Sequence, residues 1–240
     1  MCPFYLPNRC SWQSIENLMK CKMNGEVNRR LGIHYGSISL FTSILHNLFL
    51  LYHIEIFVSV YKIDKFSFWM GEGLFLVWNS CNDPLFGWMS DKKYLFKTND
   101  NSQVVLGRLK ALSWNGPMFA ISFMTFWIAW TYPSLQFVFC LCLYDGFLTM
   151  IDLHHTALLA DMSVYANVRA KLNMYCSVFS AFGSLSVFLS YAVWSHNSLL
   201  PFQMFAFILA CIATVGFVSS TRILSQMYKK YDENLCQHNK

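Results

Sequence analysis

Six apolar stretches, each close to the length that crosses a bilayer, divide this chain: roughly 32–54, 66–90, 105–130, 133–160, 171–195 and 200–223. A bilayer core needs about 20 mostly apolar residues per helix. The dividers between the stretches are polar. Lys62, Asp64 and Lys65 separate the first two, and an Asp/Lys/Asn-rich segment (91–103) separates the second from the third. A Tyr132-Pro133-Ser134 turn comes next, then Asp161 to Lys171, then Ser195 to Ser198 ahead of Pro201. Glycine and proline inside the stretches are compatible with spanning helices, because neighbouring helices can re-satisfy the freed backbone groups. The sequence therefore predicts an all-α membrane protein with six transmembrane helices.

Composition agrees with this. Charged residues make up 13% of the chain, about half their share in soluble domains, which points to lipid as the main solvent. A net charge of +5 would suit a nucleic-acid partner only if the basic residues formed a patch. They fall instead in short clusters between apolar runs, so no nucleic-acid partner is expected. Nine cysteines are scattered without a CxxC pair or histidine-spaced ligand set, and read as small hydrophobes and free thiols. No cofactor motif and no nucleophile–base set is visible, so no enzymatic activity is expected.

Lysine and arginine predict the orientation. The N-terminal arm holds five, the connection between spans 2 and 3 with its flank five, the 4–5 connection two and the C-terminal tail four. Only Lys62 and Lys65 fall on the other side, and this sixteen-to-two bias places both termini in the cytoplasm. Residues 1–30 lack a short apolar core followed by a small-residue cleavage site, so a cleaved signal peptide is not expected. They read as a mostly disordered arm with a short helix near Ser14 to Met23. The transmembrane domain is expected over 31–224 and a cytoplasmic tail over 225–240.

Acidic residues inside the apolar stretches are the candidate functional groups. Span 2 carries Glu72 and Asp83, and span 4 carries Asp145 and Asp152, with no lysine or arginine deep in any span. An ionised carboxylate at mid-bilayer costs about 2.5–3.5 kcal/mol on insertion scales, so such groups usually face a bundle interior or a wet cavity. Positions 72, 79 and 83 fall within about 40° of one another on a helix, and Asp145 and Asp152 also share a face. Asp83 and Asp152 come out at similar depth, about 7–10 Å to the cytoplasmic side of the midplane at about 1.5 Å per residue. They are expected to face one interior cavity, as candidates to bind a proton, a cation or sugar hydroxyls. Three of the four acids also have a plainer reading: Glu72 snorkelling to the outer surface, Asp83 accepting hydrogen bonds at a Pro84 kink, Asp145 supporting structure beside Gly146. The adjacent His154 and His155 diverge by about 100° on a helix and cannot easily share one ion, so no metal site is expected.

The end of span 2 carries a resemblance. Asn82-Asp83-Pro84-x-x-Gly87-x-x-x-Asp91 resembles the second-helix signature of the melibiose-carrier branch of the major facilitator superfamily, the glycoside–pentoside–hexuronide:cation symporters. Gly87-Trp88-Met89-Ser90-Asp91-Lys92-Lys93 is similar to the superfamily's general 2–3 loop motif, Gly-x-x-x-Asp-Arg/Lys. With YGSISLFTSILHNLFLLYHIEIFVSVYKI (35–63) and LCLYDGFLTMIDLHHTALLAD (141–161), the likeness to that branch covers about residues 31 to 223.

The resemblance implies a carrier that couples sugar-like solutes to a proton or sodium ion, with the plasma membrane as its expected location. It implies that Asp152 and Ser39 contact substrate and that Asp83 and Asn79 take part in coupling. Gly87, Asp91 and Lys92 would form a cytoplasmic gate, Gly87 by permitting close helix contact. Asn79 and Ser39 stand where the symporters carry aspartates, which leaves proton coupling, uniport and loss of transport as alternatives. The superfamily has twelve spans in two halves with substrate between them. The chain is thus expected to supply the N-terminal half, inactive alone, and to need a second six-helix half or a homodimer. The rival expectation is a non-transporting membrane interaction protein.

Overall fold

The computed structural model describes residues 26–94, 101–162, 166–195 and 198–238. All regular structure among them is helical: α1 Glu26–Glu55, α2 Lys65–Tyr94, α3 Asn101–Met124, α4 Pro133–Met162, α5 Ala166–Ser184, α6 Ser186–Val193 and α7 Leu200–His238. Among the described residues, four stretches are long and apolar enough to cross a membrane: Arg29–Val60, Pro133–Met162, Ala166–Val193 and Leu200–Lys230. The other two expected spans coincide with α2, which carries six charged residues, and α3, whose first half holds Arg108 and Lys110 among uncharged polar residues.

The boundaries depart from expectation in several places, and α7 runs on to His238, past the expected span end at 223. The first helix begins at Glu26, inside the expected arm; the rest of that arm, with the helix near Ser14 to Met23, lies outside the described residues. The third helix stops at Met124 rather than near 130. Beyond it Gln136, wholly buried, takes over the backbone groups: its Nε2 donates to the carbonyls of Thr125 (2.9 Å) and Ile128 (2.7 Å), and its Oε1 accepts from Trp130 N–H (3.0 Å). The fifth span breaks at Leu185, where Leu185 N–H bonds to Phe182 C=O and Phe188 N–H to Leu185 C=O. These three-residue bonds tighten the turn and separate α5 from α6.

The link from α1 to α2 is compact. A π-turn over Ile56–Val60 closes with Tyr61 N–H on Ile56 C=O, and Lys62 adopts a left-handed φ of 54°. Asp64 then caps α2 by accepting the N–H of Ser67 at 3.1 Å. Hydrogen bonds from Ser67, hydroxyl and N–H alike, hold the Asp64 carboxyl below the usual carboxylate range.

α1 is the centre of the bundle, packed on α5 and α7; α3 packs on α4 and α7, and α2 leans on α4. The core is aromatic. Phe49 stacks on Tyr144 at 4.1 Å and meets Phe126 edge-on at 4.9 Å, while Trp127 and Tyr52 both meet Phe202 edge-on at 5.0 and 4.7 Å. In lipid the hydrophobic effect does not hold helices together, so close packing and interhelical hydrogen bonds must. Both are present around α1. Its hydroxyls pair outward in Ser37–Ser220 (2.7 Å), Ser43–Ser180 (2.6 Å) and Tyr52–Ser190 (2.8 Å). Gly183 on α5 lies so near α1 that a Cβ there would fall 2.8 Å from the Leu40 carbonyl oxygen.

Candidate functional site

Three helices contribute polar positions to one cavity. On α1, Ser39, Thr42, Ser43 and His46 recur at three- and four-residue spacing, which puts them on a single face. On α5, Cys176, Ser177 and Ser180 do the same, and α4 supplies Leu148, Asp152 and His155. These faces line an open cavity of about 380 Å³. Asp152 and Ser39, singled out by the family resemblance, thus come together in space. Their neighbours Thr42, Ser43, His46, Cys176, Ser177 and Ser180 went unnoticed, although the polar stripe in two apolar helices was there to be read.

The walls are fixed by their own hydrogen bonds. Tyr35 Oη donates to the carbonyl of His155 at 2.9 Å, and His155 Nε2 donates to the carbonyl of Tyr35 at 3.2 Å, clamping α1 to α4. Thr42 Oγ1 donates to Ile38 C=O at 3.0 Å, and His46 Nδ1 meets Tyr144 Oη at 3.3 Å. The Asp152 carboxylate accepts no hydrogen bond from a described residue.

Asp83 is elsewhere, which corrects the expectation that it shares a cavity with Asp152. It lies exposed beside the α2–α4 seam and accepts a hydrogen bond from Thr149 Oγ1 at 3.2 Å. Asn82, only 1% exposed, donates through Nδ2 to Asp145 in the same seam, and its Oδ1 has no partner among the described residues. The helical wheel of α4 shows that the two places adjoin. At about 100° per residue, Asp152 lies about 20° from Asp145 and about 60° from Thr149, with His155 about 60° further round, so Asp152 stands between the seam and the cavity wall. α2 leans mainly on α4, so Asp83 reaches the Thr149 sector, while the cavity occupies the sector facing α1 and α5. Asn79 is exposed and does not join Asp83 in a paired site; Glu72 is half-buried.

The expected gate residues are also dispersed. A Cβ on Gly87 would meet nothing within 4 Å, so the close helix contact expected there is not found among the described residues. Asp91 and Lys92 are exposed, with Lys92 Nζ 5.0 Å over the Trp88 ring. The buried charge at this end is instead Arg108, counted from sequence as a loop-flanking cation. Its side chain is 4% exposed; Nε donates to Asp161 Oδ2 at 2.5 Å, Nη1 donates to Ser90 Oγ at 3.1 Å, and the guanidinium lies 4.8 Å over Tyr94. A charge needs so complete a set of partners to be buried.

Comparison with known proteins places the chain beside vertebrate membrane proteins. It is 60% identical over 200 residues, 81% of its own length, to Transmembrane protein 180 of Gallus gallus. It is 53% identical over 202 residues, 82% of its length, to Transmembrane protein 180 of Mus musculus. Each alignment covers 39% of the relative, so the chain spans about two fifths of the length of the curated relatives it matches. No family model matches the chain, and no solved structure does. The relatives and the four long apolar helices together identify an integral membrane protein.

Proposed function

We propose that this chain is one six-crossing half of a major-facilitator-type solute carrier, resembling the sugar:cation symporters, with both termini cytoplasmic and the plasma membrane as its site. In this reading α2 and α3 cross the membrane beside the four strongly apolar spans, and α5 with α6 forms one crossing. The observation that carries the proposal is the cavity. Asp152 and Ser39, on different helices and far apart in sequence, line one open polar cavity on an apolar bundle. Polar lining at membrane depth is expensive unless it faces water or a ligand. Asp83, held by Thr149 on the adjacent seam, is the candidate for proton or cation coupling.

Carriers of this kind move solute by rocking two halves about a site between them. The 240-residue chain supplies one such half, so it alone should catalyse no concentrative uptake. A second half, or a second copy, completes the path. Uptake of labelled sugars into proteoliposomes by this chain and by a version as long as its relatives tests this. The longer protein should accumulate solute and the shorter should not; accumulation by the isolated monomeric half would refute the proposal.

A second reading, a non-transporting membrane interaction protein on the same fold, draws on Asn79. It is exposed, stands where the symporters have a carboxylate, and leaves Asp83 without an aspartate partner on α2. Absence of uptake by the longer protein, with its cavity intact, would favour this reading.

A further inference from the structure

We propose that the cavity between α1, α4 and α5 selects a small hydroxylated primary amine, of the amino-sugar class, over neutral sugars and sugar acids. The inference rests on the solute-binding reading above and narrows it. Three observations carry it.

The first is charge. Among the described residues, Asp152 is the single carboxylate lining the cavity, and neither lysine nor arginine lines it. Asp152 is exposed, and an ionised carboxylate on the wall of an open cavity is stabilised by a ligand that brings a positive charge, left uncompensated by a neutral one and opposed by an anion.

The second is the donor and acceptor balance of the walls. The proton of Thr42 Oγ1 is spent on Ile38 C=O, and the Nε2 proton of His155 on Tyr35 C=O, which leaves His155 Nδ1 an acceptor in the neutral ring. Ser43 and Ser180 use one hydroxyl proton on each other. The Asp152 carboxylate, with no donor from the described residues, adds acceptor capacity. A wall rich in lone pairs suits an ammonium group, which offers three donors and no acceptor. It suits a carboxylate, which only accepts, least.

The third is size and surroundings. A cavity of about 380 Å³ lies within the range of small-molecule sites. Ser39, Ser177 and His46 offer groups that can pair with the hydroxyls of a ring-sized solute.

The test is equilibrium binding of radiolabelled D-glucosamine to the purified chain in lipid nanodiscs, with the amine protonated and D-glucose and D-glucuronate as competitors. These differ in the group that matters here: ammonium, hydroxyl or carboxylate. Glucosamine should bind at least about tenfold more tightly than glucose, with glucuronate weakest. Asp152→Asn should erase the preference and Asp152→Glu should keep it, with helical circular dichroism unchanged in both. Equal binding of glucose and glucosamine, both weakened by Asp152→Asn, would overturn the amine assignment and leave the solute site standing. A preference that survives Asp152→Asn would overturn it too. Failure of all three probes to bind would remove the solute site itself.

Discussion

Asn82 and Asp145 meet across the α2–α4 seam, the amide Nδ2 donating to the carboxylate while the equally buried Oδ1 finds no partner among the described residues. Asp145→Leu would strand the whole amide. Leaving a buried polar group unpaired costs about 1–3 kcal/mol. Asp152→Ala removes a carboxylate that no described residue bonds, and should cost less than about 0.5 kcal/mol. Thermal melts in detergent, followed by helical circular dichroism, separate the two. In the longer protein the order should invert for transport, with Asp152→Ala hurting more than Asp145→Ala. Equal loss of stability in both variants would contradict the division into a seam acid and a cavity acid.

Arg108 and Asp161 form a second contrast. Removing one member of a buried pair leaves a charge without its strongest partner, whereas replacing both with apolar groups of similar volume is often neutral. Arg108→Met should therefore destabilise by about 2–4 kcal/mol, and Arg108→Met with Asp161→Leu by clearly less. Denaturation of the single and double variants in detergent reads this coupling. Additive losses would show that the pair contributes nothing as a pair.

Glycines at two interfaces should respond oppositely. A side chain at Gly183 would run into the α1 backbone at Leu40, and overpacking of this kind typically costs about 1–3 kcal/mol. Gly183→Leu should lower the melting temperature accordingly. Gly87→Ala, with nothing within 4 Å of the new Cβ, should leave it unchanged. If Gly87→Ala impairs uptake by the longer protein while the isolated chain stays fully stable, a surface beyond this chain packs against it.

The all-helical, membrane-spanning character was legible because apolar length is a strong signal; the helix ends were less so, since α3 stops at Met124, short of its polar divider. The break at Leu185 was not, because it replaces no residue type: it is a local change in hydrogen-bond register inside an apolar run. Asp152 was found as an acid inside an apolar span and Ser39 through the family resemblance, and their meeting depended on how α1 and α4 pack. Asp83 was misplaced because the helical wheel of α2 alone does not reveal that α2 leans on α4, away from α1. Arg108 was not singled out from the sequence, for a related reason. From sequence it sits one turn inside a span next to a polar loop, and its burial follows from Ser90, Tyr94 and Asp161 closing over it.

Topology offers a separate check. Six crossings put the Tyr132-Pro133 turn and the Ser195–Ser198 segment outside the cell, and both chain ends inside. Epitope tags in the two loops should be accessible on intact cells, and terminal tags only after permeabilisation. An internal Tyr132 loop would contradict a crossing by α2 or α3.

The account turns on a water-accessible cavity within the membrane, and cysteine labelling measures that directly. Ser180 lines the cavity, while Phe182, 61% exposed and two residues along α5, points about 200° away at nearly the same depth. In a chain with its other cysteines replaced and reconstituted in liposomes, Ser180→Cys and Phe182→Cys would each meet a membrane-impermeant thiol reagent on both sides. The account predicts rapid modification at 180 and protection at 182. Protection at both positions, or faster reaction at 182, would contradict it.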